Sequence, residues 1–329
     1  MKKRENCFDT LKYICILLVM NSHFFLFFYR PLKDFWKEFP YKLFLYGLDG
    51  KLGVSIFAVI TGYFSFISGK KKGSFIRYAL KRYSFFLICS LIINTLLYIM
   101  NTEGVRTENS FGIVIGQSVL LDRLIFGTFW FIRPFFVGSL LCFLCGKYDI
   151  NSLIIIVLMP LMVYINSPFF LTYIANCLLG CILYRLLDLN LDIYRNKWIQ
   201  LLAAVAIYIF VKRDGYNLTY FIQGLIGVVL IMLIRNNEKM YQLSENKFTA
   251  YFGKKTMSLL MSHMLCVYLF NFYAPSLRNN PFLLFLIWLI LSHLLAIILD
   301  IVINYIVKLA DLVIDSIFVR FENLKAGQK

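Results

Sequence analysis

Lys12 and His23 stand eleven positions apart within one apolar stretch near the start of a 329-residue chain. On a helix that interval is about 1,100° of rotation, three turns plus roughly 20°, so the two side chains share a face about 16 Å apart along the axis. A charge or an imidazole inside an apolar helix is costly to bury and is by default a functional candidate. The lysine offers a cation to an anionic ligand, and an imidazole is suited to general-base work near neutral pH. A plainer reading has Lys12 snorkelling to lipid headgroups and His23 hydrogen-bonding a neighbouring helix. The pair is harder to dismiss than either residue alone, because a cation and a base on one line match a long, partly anionic substrate. Asp9, one turn before Lys12, is placed to orient that lysine.

Arg133 is the other deep cation. Pro134 follows it and disfavours αR geometry at Arg133, and broken helix at membrane depth usually lines a cavity. The guanidinium suits stabilising a developing oxyanion or binding an acidic group; the alternative is snorkelling beside the interfacial anchor Trp130. His263 and His293 lie in later apolar stretches, where histidine also serves as an interhelical donor, and His293 is read as structural. Of the eight cysteines, Cys142 and Cys145 form a CxxC on an apolar face. They are read as small packing residues, and no metal is expected.

Membrane helices must position these residues. Hydrophobic types make up 60% of the chain and the mean hydropathy is +0.72, beyond what a soluble domain with a polar shell shows. Spans are predicted at roughly 10–29, 52–69, 83–100, 127–146, 152–165, 169–187, 198–211, 217–234, 256–273 and 282–307. The expected fold is an all-α integral membrane protein of about ten transmembrane helices, one domain over 1–329. Leu283 to Ile298 shows none of the apolar–polar alternation of a barrel strand. The first stretch follows Met1-Lys2-Lys3-Arg4, but it carries His23 and no small-x-small cleavage site follows, so it is expected to be a retained helix. Phe111 to Ile125, with Asp122-Arg123 near its end, is expected to be an outer-face interfacial helix.

The net charge of +16 is explained by topology rather than by nucleic acid. With the N-terminus inside, the cytoplasmic ends and loops hold 22 of the 34 lysines and arginines and the outer loops 10. The segment from Lys70 through Arg77, Lys81 and Arg82 is the strongest orienting feature. Both termini are then expected to be cytoplasmic. The outer segment Arg30 to Gly50 mixes Lys33, Lys37 and Lys42 with Phe35, Trp36 and Tyr41, which suits lipid headgroups and also sugars.

Several motifs resemble one family. Asp9-Thr10-Leu11-Lys12 continuing to Asn21-Ser22-His23 looks like the opening of the acyltransferase-3 family of integral membrane acyltransferases: a basic residue, ten intervening residues, then histidine. Gly53-Val54-Ser55-Ile56-Phe57 through Thr61-Gly62-Tyr63 resembles the next element, with threonine where serine is usual. A basic inner loop follows, matched by Arg77, Lys81 and Arg82, without the proline that commonly comes after it. Trp130-Phe131-Ile132-Arg133, Leu179-Gly180-Cys181 and Phe252-Gly253 to Ser262-His263 complete the series, with Leu260 where tyrosine is often found. The likeness covers nearly the whole chain in order and spacing.

The resemblance implies ten helices and transfer of an acyl group, usually acetyl, from cytoplasmic acyl-coenzyme A (acetyl-CoA) to an extracytoplasmic acceptor such as a cell-surface polysaccharide or lipid-linked sugar, in a bacterial cytoplasmic membrane. Lys12, Arg77, Lys81 and Arg82 would then neutralise the phosphates of the donor. His23 would be the general base and Arg133 would assist it, with Asp9, Gly62, Trp130 and His263 in support. The competing expectation is a transporter or flippase of lipid-linked sugars, which explains the hydropathy equally well but not the Lys12 to His23 spacing.

Overall fold

A computed structural model of the chain describes residues 6–28, 50–71, 73–100, 110–121, 130–164, 170–189 and 216–326. Among the described residues there are twelve α-helices, one short 3-10 helix and no strand. The helices are α1 (Asn6–Phe28), α2 (Gly50–Lys70), α3 (Phe75–Met100), α4 (Phe111–Val119), α5 (Ile132–Lys147), α6 (Ser152–Tyr164), α7 (Phe170–Asp188), α8 (Tyr216–Asn236), α9 (Glu238–Ser244), α10 (Lys247–Lys254), α11 (Thr256–Tyr273) and α12 (Pro281–Ala326). Seven of them, α1, α2, α3, α7, α8, α11 and α12, are long and apolar enough to cross a membrane. α5 and α6 are shorter, at 16 and 13 residues. The protein is an all-α membrane protein. The predicted span at 198–211 and the outer segment 30–49 lie outside the described residues.

Several boundaries differ from expectation: α3 begins at Phe75 rather than 83, which puts Arg77, Lys81 and Arg82 on a helix and not in a loop, and two others have a local reason. α5 begins at Ile132, so that Pro134, which lacks an N–H, falls in the first turn where no intrahelical partner is needed. α12 runs on to Ala326, because no glycine or proline stands between Pro281 and Gly327 to stop it. Its 46 residues span about 69 Å, more than twice a hydrocarbon core of about 30 Å. α4, the described part of the expected interfacial helix, packs lengthwise on α3. Its Phe111 ring is 5.3 Å from that of Tyr98, Asn94 Nδ2 donates to Ser118 Oγ at 2.6 Å, and Tyr83 Oη donates to the Val119 carbonyl at 2.6 Å. The order of these contacts makes α4 antiparallel to α3, and the buried Asn94–Ser118 bond satisfies two groups that burial would otherwise penalise.

α2 sits at the centre, against α1, α5, α7 and α8. Lipid removes most of the hydrophobic drive between helices, so close backbone approach must supply attraction. Gly62 and Gly180 permit it: a Cβ at Gly62 would fall 1.8 Å from the Cys177 carbonyl oxygen, and one at Gly180 2.3 Å from the Val59 carbonyl oxygen. Asn176 Nδ2 donates to the Tyr220 carbonyl at 3.0 Å, tying α7 to α8. At the other end of the bundle Asp149, with φ 50° just past α5, accepts from Lys70 of α2 at 2.7 Å and from Arg185 of α7 at 3.1 Å.

Candidate active site

α1 and α11 pack together and bring two histidines into contact. His23 Nδ1 lies 2.9 Å from His263 Nε2. The ring centroids are 5.2 Å apart and the planes 14° from parallel, so the rings lie edge to edge in nearly one plane, as a straight N–H···N bond requires. His263 is fully buried, and its Nδ1 lies 3.0 Å from the Leu259 carbonyl oxygen one turn earlier. A carbonyl only accepts, so in the neutral pair His263 Nδ1 carries the hydrogen and its Nε2 offers a lone pair. His23 Nδ1 must then be the donor, which leaves the lone pair of His23 on Nε2. Trp288 of α12 donates from Nε1 to the His263 carbonyl at 3.1 Å and fixes this turn of α11.

A cavity of about 290 Å³ opens on the Lys12 side of the pair, between α1, α2, α3, α5 and the start of α11. Lys12, Thr61, Arg82, Lys254 and Thr256 contribute its polar lining, and the rest is apolar and largely aromatic. Val19 and Leu260 line it as well, one turn short of His23 and three residues short of His263. On α1 the chain passes Lys12 before His23, and from the end of α10 into α11 it passes Lys254 before His263, so α1 and α11 run parallel along the cavity.

Close packing sets the cationic end. Lys12 Nζ is 2.9 Å from Oδ1 of the buried Asp9 and 5.4 Å from the Phe64 ring centre. A Cβ at Gly253 would fall 1.7 Å from the Asp9 carbonyl oxygen, so α10 lies directly on the first turn of α1 and delivers Lys254 beside it. Thr10 Oγ1 donates to the Ser244 carbonyl at 2.6 Å, and Glu245 accepts from the Asn6 backbone at 3.0 Å, securing the same junction. The Arg82 guanidinium lies over Phe86, 5.1 Å from the ring centre.

The other candidates are dispersed. Arg77 Nε and Lys81 Nζ both donate to Asp315 of α12, each at 2.8 Å, on a different face of α3 from Arg82. Arg133 is exposed on the flank of the bundle, 6.0 Å from the Phe170 ring centre. Trp130, half-buried, packs on Tyr173 with ring centres 4.9 Å apart. His293 accepts at Nε2 from Tyr13 at 2.9 Å, since its Nδ1 lies 2.8 Å from the Leu289 carbonyl. Among the described residues no group of three or more histidines, cysteines or acids is placed to hold a metal ion. Lys254 did not emerge from the sequence; its one signal there is a spacing of nine positions to His263, next to a Lys255 that reads equally as a topological charge.

The apolar helical bundle thus holds an imidazole pair beside a cavity with three cations in its lining. The family model described as Acyltransferase domain, acyltransferase-3, matches residues 5–301, and the chain belongs to that family: it is a multi-pass membrane acyltransferase. Comparison with curated proteins and with solved structures gives no match.

Proposed function

We propose that the protein moves an acetyl group from cytoplasmic acetyl-CoA to a hydroxyl of an extracytoplasmic polysaccharide or lipid-linked sugar, across a bacterial cytoplasmic membrane. The observation that carries this reading is the His23–His263 contact one turn beyond the apolar end of a cavity whose other end gathers Lys12, Arg82 and Lys254. The three cations suit the donor's phosphates, with the planar guanidinium able to bind two oxygens at once. The apolar length suits the pantetheine arm.

In the transfer step the acceptor oxygen attacks the thioester carbon while His23 Nε2 takes the hydroxyl proton. The C–O bond forms, the C–S bond breaks, and the leaving thiolate takes the proton from the imidazolium, so that free coenzyme A and neutral His23 are restored. His263 accepts from His23 Nδ1 throughout and favours the transient imidazolium. No covalent acyl-enzyme and no metal is needed. Arg133, exposed outside the cavity, is assigned to acceptor or headgroup contacts rather than to the thioester.

The test compares wild type and His23→Ala at equal membrane levels, with acetyl esters on the surface polysaccharide measured by proton NMR. Loss of esters in the variant is expected. Equal ester content would sink the proposal and favour a transporter of lipid-linked sugars, which has no use for a base at this position.

A further inference from the structure

Arg77 and Lys81 do not line the cavity; they enclose a carboxylate. Arg77 Nε is 2.8 Å from Asp315 Oδ1, and Lys81 Nζ is 2.7 Å from Oδ1 and 2.8 Å from Oδ2. A guanidinium and an ammonium one turn apart, converging on one anion, make an anion subsite whose occupant here belongs to the chain itself. The three side chains are 41%, 32% and 33% exposed, so the subsite is open to water.

The course of α12 places that occupant at the mouth. Asp300 pairs with Lys255 and accepts from Ser258 at 3.4 Å, which fixes α12 beside the start of α11. Asp315, fifteen positions and about 22 Å further along, reaches α3. Lys254 and Arg82 are the sequence neighbours of Lys255 and Lys81, and both line the cavity. α12 therefore runs from the start of α11 to the first turns of α3, held at each by an aspartate. On α3, Lys81 and Arg82 are about 100° apart, one facing α12 and the other the cavity, so cations flank the mouth in two groups.

We infer that Asp315 of α12 is a competitor built into the chain: it occupies the Arg77–Lys81 anion site, which the family resemblance already assigns to the donor's phosphates and which would take the 3′-phosphate of coenzyme A. The inference rests on the donor reading above. Coenzyme A carries two separate anionic groups, a pyrophosphate and a phosphate on the ribose, and the two cation groups match them in number and sign. A partly exposed carboxylate pair is weakly held, whereas a phosphate brings more charge and three acceptor oxygens to the same donors. Donor binding then releases Asp315 and loosens α12 from α3, while the Asp300 anchor stays in place.

The experiment measures equilibrium binding of coenzyme A and of 3′-dephospho-coenzyme A to the purified full-length protein. Asp315→Asn is expected to bind coenzyme A roughly tenfold more tightly, about one charge-assisted hydrogen bond, with dephospho-coenzyme A unchanged. Adding Arg77→Ala and Lys81→Ala to that variant removes the gain. An equal gain for both ligands would mean that the mouth merely opened, and no gain would mean that Asp315 is not a competitor; either overturns the inference. Failure of wild type to bind either ligand would overturn it through the donor reading, which the ester assay on His23→Ala tests separately.

Discussion

His23 Nδ1 faces His263 Nε2 across 2.9 Å, and in the neutral pair the hydrogen between them belongs to His23, because the Leu259 carbonyl holds the other ring by its Nδ1–H. One backbone carbonyl thus sets the tautomers of two side chains 240 positions apart in sequence.

That arrangement makes His263 a positioning residue with a graded signature. His23→Ala should cost about 10²–10⁴-fold in ester formation, the usual worth of a general base. His263→Leu should cost less. His263→Gln should recover part of the loss, since an amide oxygen can accept from His23 Nδ1. Initial rates of acetyl transfer in membrane vesicles check this, and equal rates for the Leu and Gln variants would exclude an orienting role.

The cavity mouth predicts a binding defect. Lys12→Ala, Arg82→Ala and Lys254→Ala should each raise the KM for acetyl-CoA with a smaller effect on kcat, the pattern of lost ground-state binding. Added salt should narrow the difference from wild type, because these charges act partly through water. Arg82→Lys should restore only part, since an ammonium cannot bind two phosphate oxygens in one plane. Steady-state kinetics at two salt concentrations decide it; a pure kcat effect at Lys254 would remove that residue from donor binding.

Helical period made one half of this site legible and hid the other. Lys12 and His23 lie on a single helix, where 3.6 residues per turn converts spacing into geometry. His263 meets His23 only because α1 and α11 run parallel, and Asp315 meets Lys81 only because α12 continues past 307; neither pairing leaves a periodic trace in the chain. The run of α12 was nonetheless readable in the lack of glycine and proline before Gly327. Lys254 was masked by topology, because a lysine beside a span satisfies the positive-inside rule whatever else it does. The packing of α4 on α3 leaves no periodic trace either, because Ser118 reveals its need only when Asn94 appears opposite it.

Gly253 should be intolerant of any side chain. A Cβ there would fall 1.7 Å from the Asp9 carbonyl oxygen, whereas one at Gly73 would meet nothing within 4 Å. Gly253→Ala must push α10 off α1, shifting Lys254 and the turn that carries Lys12, at a cost of about 1–3 kcal/mol for overpacking. Thermal denaturation in detergent should show a lower Tm and a raised KM for Gly253→Ala, with Gly73→Ala close to wild type. A silent Gly253→Ala would mean that the α1–α10 junction does not position the mouth.

Asp149 supplies a pH-dependent clamp at the ends of α2, α5 and α7. The Lys70 hydrogen bond, helped by Arg185, holds its carboxyl below the ordinary carboxylate range. A depressed folded-state pKa contributes stability that is fully present above the unfolded value of about 4 and is lost as pH falls through the lowered one. Asp149→Asn should therefore lower Tm at neutral pH, and the gap between variant and wild type should close as the pH drops below about 4. The side chain is 63% exposed, so the gap is small and shrinks in high salt. Tm measured in detergent against pH for both proteins provides the check. A gap that persists unchanged at acid pH would show that the charge of Asp149 does not supply the effect, since asparagine keeps the left-handed backbone there.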